Sequence, residues 1–219
     1  METQTETNMI SAKPSLLGMF TSPGVQFDRI KANPRIWIPL LLITVIAAIS
    51  TFAAASQIDA DYMIKSGVDS SMADAMVGFT KITAIFTGVL YPIIGVLISS
   101  AIYLAIAKIA GSEVKFKQMM SMNVYILVIG IAGQLLNGLL GLVIDSVPEV
   151  PVTSVGGFVN ETKPGVLSAI EVFSIWSLVL TAIGLQRVAN LSKGLSWTVV
   201  VVIFLITVGL ASLSGMFAL

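Results

Sequence analysis

The chain has 219 residues, 56% of them apolar and 11% charged, with 12 basic and 12 acidic side chains and neither Cys nor His. A soluble domain carries roughly 25% charged residues, and here the charges are also segregated: 36–58, 82–107, 118–144 and 194–219 have none, and 164–186 has only Glu171. This excludes a soluble globular domain, disulfides, and thiolate or imidazole chemistry, and a net charge of zero argues against nucleic acid as a partner.

A bilayer-spanning helix needs about 20 predominantly apolar residues, and each uncharged window is that long. The expectation is an all-α integral membrane protein in the lipid bilayer. Residues 1–35 form a cytoplasmic tail, and 36–219 a domain of five transmembrane helices at about 36–56, 82–107, 119–144, 165–186 and 196–218.

In the tail, Leu16, Leu17, Met19 and Phe20 precede Ser22-Pro23, a helix-start signal with Ser as cap and Pro in the first turn. The following residues place Phe27 and Ile30 on one side, with Asp28, Arg29 and Lys31 elsewhere. That pattern predicts a short amphipathic helix lying on the headgroups, with Phe27, Arg29 and Lys31 as candidates for docking a partner; a disordered basic tail is the alternative. Asn33-Pro34 then opens the first span, and Trp37 stands where an interfacial aromatic belongs.

Residues 57–81 carry Asp59, Asp61, Asp69 and Asp74 against Lys65 and Lys81, and Ile64, Val68, Met72, Met76 and Phe79 suggest a surface helix. Asp59-Ala60-Asp61 lacks the further spaced oxygens of a calcium loop and reads as a solvated acidic turn. Pro92, near the middle of the second span, removes a backbone hydrogen bond and predicts a kink.

The third span has a stripe of Gly130, Gly133, Gln134, Asn137, Gly138 and Gly141. The fourth has a similar arc of Glu171, Ser174, Ser177, Thr181 and Gly184. Small residues let helix backbones approach, and amides and hydroxyls bond across the gap, so helix packing accounts for both stripes. The functional alternative is a polar cavity or substrate path between the two helices. Glu171 is the one charge in a spanning window, about two turns from its outer end. A charge at the bilayer centre costs about 2.5–3.5 kcal/mol, so Glu171 is expected to reach the outer interface, to bond Gln134 or Asn137, or to be protonated. The loop at 145–163, with Pro148, Pro151 and Gly156-Gly157, reads as short and irregular.

Lys13, Arg29, Lys31, Arg35, Lys108, Lys115, Lys117, Arg187 and Lys193 fall on one side of this topology, and Lys65, Lys81 and Lys163 on the other. The positive-inside rule then places the N-terminus in the cytoplasm and the C-terminus outside. No H-E-x-x-H zinc motif or phosphate-cradling G-x-x-x-x-G-K-[ST] occurs. No catalytic, metal or cofactor residues are therefore assigned.

Three segments resemble the bacterial members of the Yip family, the Ypt-interacting-protein superfamily. They are SPGVQFDRIKANPRIWIPLLL at 22–42, AKIAGSEVKFKQMMSMNVY at 107–125, and EVFSIWSLVLTAIGLQRVANLSKG at 171–194. In the second, Gly111, Phe116 and Lys117 form a cytoplasmic turn before Ser121 and Tyr125; in the third, Trp176, Leu180, Gly184 and Leu185 precede Ser192-Lys193. The resemblance implies a non-catalytic plasma-membrane accessory protein that assists assembly or stability of an ABC exporter, in a system associated with peptide-toxin protection. Exporter subunits are the implied partners. A small transporter or channel with a polar path between the third and fourth spans is the alternative.

Overall fold

A computed structural model describes residues 12–56, 58–65, 67–141, 143–144, 150–161 and 163–217. The first part of the tail, Pro148 and the last residues of the fifth window lie outside them. Among the described residues the chain is helical: α1 Gly18–Thr21, α2 Pro23–Ala32, α3 Trp37–Ser56, α4 Ala60–Lys65, α5 Ser70–Ile109, α6 Phe116–Gly141, α7 Val155–Phe158, α8 Val166–Ala169, α9 Val172–Ala189 and α10 Lys193–Phe217. The protein is an all-α membrane protein. Helices α5, α6, α9 and α10 are long and apolar enough to cross a bilayer. The fifth apolar helix, α3, has 20 residues, or about 30 Å of rise, and packs along α5 and α6.

The bundle has two ends. At the near end α5 and α9 finish, α6 and α10 begin, and the N-terminal segment packs; the far end carries α4, α7 and α8. Two apolar clusters hold the spans together. One joins Met19, Phe27 and Ile30 of the N-terminal segment to Ala107, Met119, Met122, Leu180 and Leu185. The other joins Ile36, Leu40 and Ile43 to Val96, Met120 and Val124. Large apolar side chains elsewhere on α3, α5 and α10, such as Ile49, Phe86 and Leu205, face outward, as a lipid solvent permits.

The structure departs from the sequence expectations in three places. The stretch 57–81 is not one surface helix. Its first part is α4, and its second is the start of α5, whose N-cap Asp69 accepts the Ser71 N–H at 2.8 Å. The helix α5 continues through Pro92 and ends before Gly111 at φ +80°, running for 40 residues, about 60 Å. That is twice the roughly 30 Å hydrocarbon core, so the turns before Ile82 extend past the apolar window. The second departure is the fourth span, which begins at Val172 rather than near 165 because the chain is extended at Glu171, with φ −118° and ψ 137°. Residues 155–169 fold instead into α7 and α8, and α8 packs on α10.

The third departure concerns the N-terminal helix. It does not lie on headgroups alone: α2 packs on α6 and α9, and Phe27 and Ile30 are fully enclosed by the bundle. An apolar stripe two residues wide fits a lipid surface and a helix groove equally well, and here the groove supplies the closer packing.

Candidate functional site

The candidate residues fall into two groups at opposite ends of the bundle. At the near end, polar side chains of α6 hold the N-terminal segment by its backbone. The Tyr125 hydroxyl donates to the Pro14 carbonyl at 3.1 Å, Ser121 Oγ to the Arg35 carbonyl at 2.8 Å, and Gln118 Nε2 to the Lys31 carbonyl at 2.7 Å. These three side chains lie on α6 at spacings of three and four, one helical face. Carbonyls near a helix end need donors from outside the helix, and the Lys31 carbonyl belongs to the last turn of α2.

The docking candidates are used within the chain. Phe27 is 0% exposed, with Cε1 lying 3.2 Å from where a Cβ on Gly184 would sit. Lys31 Nζ donates to Asn190 Oδ1 at 2.6 Å. Arg29 Nη1 approaches Gln26 Oε1 at 3.5 Å. Beside them Arg187 pairs with Asp28 at 3.0 Å. As a partner-docking residue Phe27 is thus corrected: its ring is core.

At the far end the fourth-span carboxylate is a cap. Glu171 is 7% exposed and accepts from the Phe173 N–H at 3.0 Å, the Ser174 N–H at 2.6 Å and Thr153 Oγ1 at 2.7 Å. Two of those donors are the orphan amides of the first turn of α9, and an anion at that terminus also meets the helix dipole favourably. Thr153 links this cap to α6. Asn137 Nδ2 donates to Thr153 Oγ1 at 2.8 Å, and Asn137 Oδ1 accepts the Thr153 N–H at 2.9 Å. The hydroxyl has one proton, and the shorter, charge-assisted bond to Glu171 takes it. A single chain of bonds therefore runs Asn137 to Thr153 to Glu171, closed by an isolated antiparallel bridge between Ser154 and Glu171.

Glu171 bonds neither Gln134 nor Asn137 directly; Asn137 is linked to it only through Thr153. Gln134 stays outside the network on the exposed side of α6. Ser174 joins it only through its backbone. The two glycines differ. A Cβ on Gly133 would stand 2.6–2.8 Å from Cγ, Cβ and Cδ2 of Phe173 on α9, so that contact is one of backbone-anchored atoms. A Cβ on Gly184 would meet Met122 Sδ at 2.7 Å, the movable end of a flexible side chain. Of the stripe glycines, Gly133 and Gly184 meet the facing helix and Gly184 also seats the N-terminal Phe27, whereas Gly130 and Gly138 have nothing within 4 Å of where a Cβ would be.

Ser121, Tyr125 and Asn190 lie within the segments that carry the family resemblance. Thr153 sits in the loop read as irregular, where nothing in the sequence pairs it with Asn137. Among the described residues no three Asp or Glu side chains converge as metal ligands. What the two groups do chemically is hold segments: the near one fixes the N-terminal segment, the far one fixes the loop before α9.

The Yip1 domain family matches residues 17–216, from the start of the N-terminal docking segment to the end of the last span. The chain belongs to that family of membrane proteins. Among its relatives it is 32% identical to the membrane protein YknW of Bacillus subtilis (strain 168), over 99% of this chain and 97% of the relative. No solved structure matches it.

Proposed function

We propose that the protein is a non-catalytic accessory subunit that assists assembly or stability of an ABC exporter in a bacterial plasma membrane, with peptide-toxin protection as its setting. The observation that carries the reading is the full-length correspondence with YknW, which extends the likeness of the three sequence segments to the whole chain. The distribution of polar groups supports it. Glu171 caps α9 and binds Thr153, and Lys31 and Arg187 are engaged with Asn190 and Asp28. These groups are committed to the fold rather than presented to a substrate.

The near end is cytoplasmic in this reading, because it gathers the larger share of Lys and Arg. With Phe27 enclosed, one exposed surface open to a cytoplasmic partner is the turn between α5 and α6. Ile109 is 89% exposed there, Phe116 is 40% exposed, and Lys115 and Lys117 are exposed beside them. Apolar side chains flanked by flexible cations suit a partner surface carrying acidic residues. The transporter alternative has one observation on its side, a cavity lined by α5, α6, α9 and α10.

Affinity purification of the native protein in mild detergent, followed by mass spectrometry, tests the proposal. An ABC-type ATPase or permease recovered in amounts comparable to the bait supports it. Reconstituted protein that moves substrate or ions by itself in proteoliposomes overturns it in favour of the transporter.

A further inference from the structure

At the middle of the bundle, α5, α6, α9 and α10 enclose a cavity of about 350 Å³. Helices α5 and α10 border it on either side without an extended packing contact between them, which leaves a gap toward the lipid. Its wall contains no Asp, Glu, Lys or Arg, but it is not apolar throughout: Asn123, Tyr103, Ser177 and Thr181 line it. Asn123 is the informative residue. It is 7% exposed, and its Nδ2 donates to Ser100 Oγ at 2.9 Å, while Ser100 gives its own proton to the Val96 carbonyl at 2.5 Å. Asn123 Oδ1 has no donor among the described residues. Yet no buried side-chain oxygen or nitrogen among them lacks a partner, so this oxygen is accessible, and the space it meets is the cavity. Of the hydroxyls on the same wall, Thr181 Oγ1 donates to the Ser177 carbonyl at 2.8 Å and Thr207 Oγ1 to the Ile203 carbonyl at 3.0 Å, and neither reaches Asn123 Oδ1.

An acceptor without a donor is costly where the surroundings are hydrocarbon. The occupant must therefore bring a donor. It must be neutral, because no side chain on the wall compensates a charge. The volume lies in the range of about 300–1,000 Å³ typical of small-molecule sites.

We propose that this cavity binds a neutral glycerolipid with a free hydroxyl, of the diacylglycerol type. The lipid enters from the bilayer between α5 and α10 and donates its hydroxyl to Asn123 Oδ1, with its acyl chains remaining partly in the membrane. This goes beyond the accessory role and does not depend on it.

The test uses the full chain in lipid nanodiscs with two photoreactive lipids that share one acyl chain, a diacylglycerol and a phosphatidylglycerol. The expected result is crosslinking of the diacylglycerol to α5 near Tyr91 and α10 near Phe204, competed by unlabelled diacylglycerol. Asn123→Leu should weaken it about ten-fold, the size of one lost buried hydrogen bond. Gly130→Leu covers the case in which Asn123→Leu fails to fold. Gly130 lines the cavity with nothing within 4 Å of where its Cβ would be, so the leucine fills the site without displacing a neighbour and should abolish the labelling. Equal labelling by the two probes, labelling spread over the whole lipid-facing surface, no labelling, or labelling unchanged in Gly130→Leu would each overturn the proposal.

Discussion

Lys31 and Asn190, 159 positions apart in the chain, are joined by a 2.6 Å hydrogen bond from Nζ to Oδ1. Each is placed by a helix end. Lys31 lies in the last turn of α2, and Asn190 caps α9 in the left-handed conformation at φ 54°. Asn tolerates that conformation better than other residues with a Cβ, so the residue that ends α9 also holds the N-terminal segment. The same junction includes Ser112 Oγ, which donates to the Ala189 carbonyl at 2.6 Å and ties in the turn between α5 and α6. Asn190→Gly keeps the backbone and loses the bond, while Asn190→Val adds strain of about 1–2 kcal/mol. Thermal unfolding in detergent should rank them wild type, Gly, then Val in falling stability. Equal melting temperatures for Gly and Val would refute the role of the left-handed cap.

Phe27→Ala should cost about 3–5 kcal/mol, the range for truncating a buried aromatic, because the ring is fully enclosed. Val25→Ala, at an exposed position of the same helix, should stay within about 0.5 kcal/mol, as a surface change does. Denaturation followed by tryptophan fluorescence distinguishes them, since Trp176 packs against the same cluster. A Phe27→Ala variant as stable as wild type would return the helix to the headgroups.

Much of this arrangement is legible in the sequence, and the unread parts share a cause. The apolar windows announce the spans because hydrocarbon imposes composition directly. Gly133 and Gly184 mark the close approach of α6 and α9, whereas Gly130 and Gly138, at the same helical spacing, face open space. Phe27 is different: periodicity says that its side is buried but not against what. The apolar neighbours of Glu171 put it within a span. What makes it a cap is Thr153, eighteen positions earlier, together with an extended residue before α9. Tertiary hydrogen bonds of that kind leave no periodic trace.

The two stripe glycines should respond unequally. Gly133→Ala places a methyl group against Cβ and Cγ of Phe173, which cannot withdraw without moving α9. Gly184→Ala meets a methionine sulfur that can turn aside. Gly138→Ala meets nothing within 4 Å. The expected order of lost stability is Gly133, then Gly184, then Gly138 near zero, with the first in the 1–3 kcal/mol range of about that size for overpacking. Size-exclusion thermal melts measure it. A Gly138 variant as damaged as Gly133 would contradict the packing geometry.

Asp69 offers a pH readout away from the membrane. The Ser71 hydroxyl, and then its N–H, hold the exposed Asp69 carboxyl below its ordinary 3.8. A depressed carboxyl favours the folded cap at neutral pH, and that contribution is lost as pH falls through the lowered value. The Ser71 amide proton resonance should therefore shift with a midpoint below 3.8, and Asp69→Asn should remove the titration. A midpoint above the ordinary value would mean that the cap does not form.

The accessory reading stands or falls on orientation and on the turn between α5 and α6, and both can be tested in one set of cells. The cysteine-free chain allows single reporters. Cysteine at Ser70 or Phe158, both exposed at the far end, should label with an impermeant thiol reagent on whole cells, and cysteine at Glu113, exposed at the near end, should not. Ser154 is unsuitable because it is 3% exposed and caps α7. With that orientation, the double variant Lys115→Glu, Lys117→Glu reverses two exposed charges on the turn while leaving the enclosed residues of α2 and α6 untouched. Its melting temperature should match wild type within the small effect of surface charges. Its recovery of exporter subunits in affinity purification should fall by about ten-fold or more, as when like charges are brought together at an interface. Replacing the whole 15–33 segment would not separate docking from folding, because Met19, Phe27 and Ile30 belong to the core. Labelling at Glu113 with protection at Ser70 would invert the topology. Undiminished partner recovery by the charge-reversed turn would move the docking surface away from the near end.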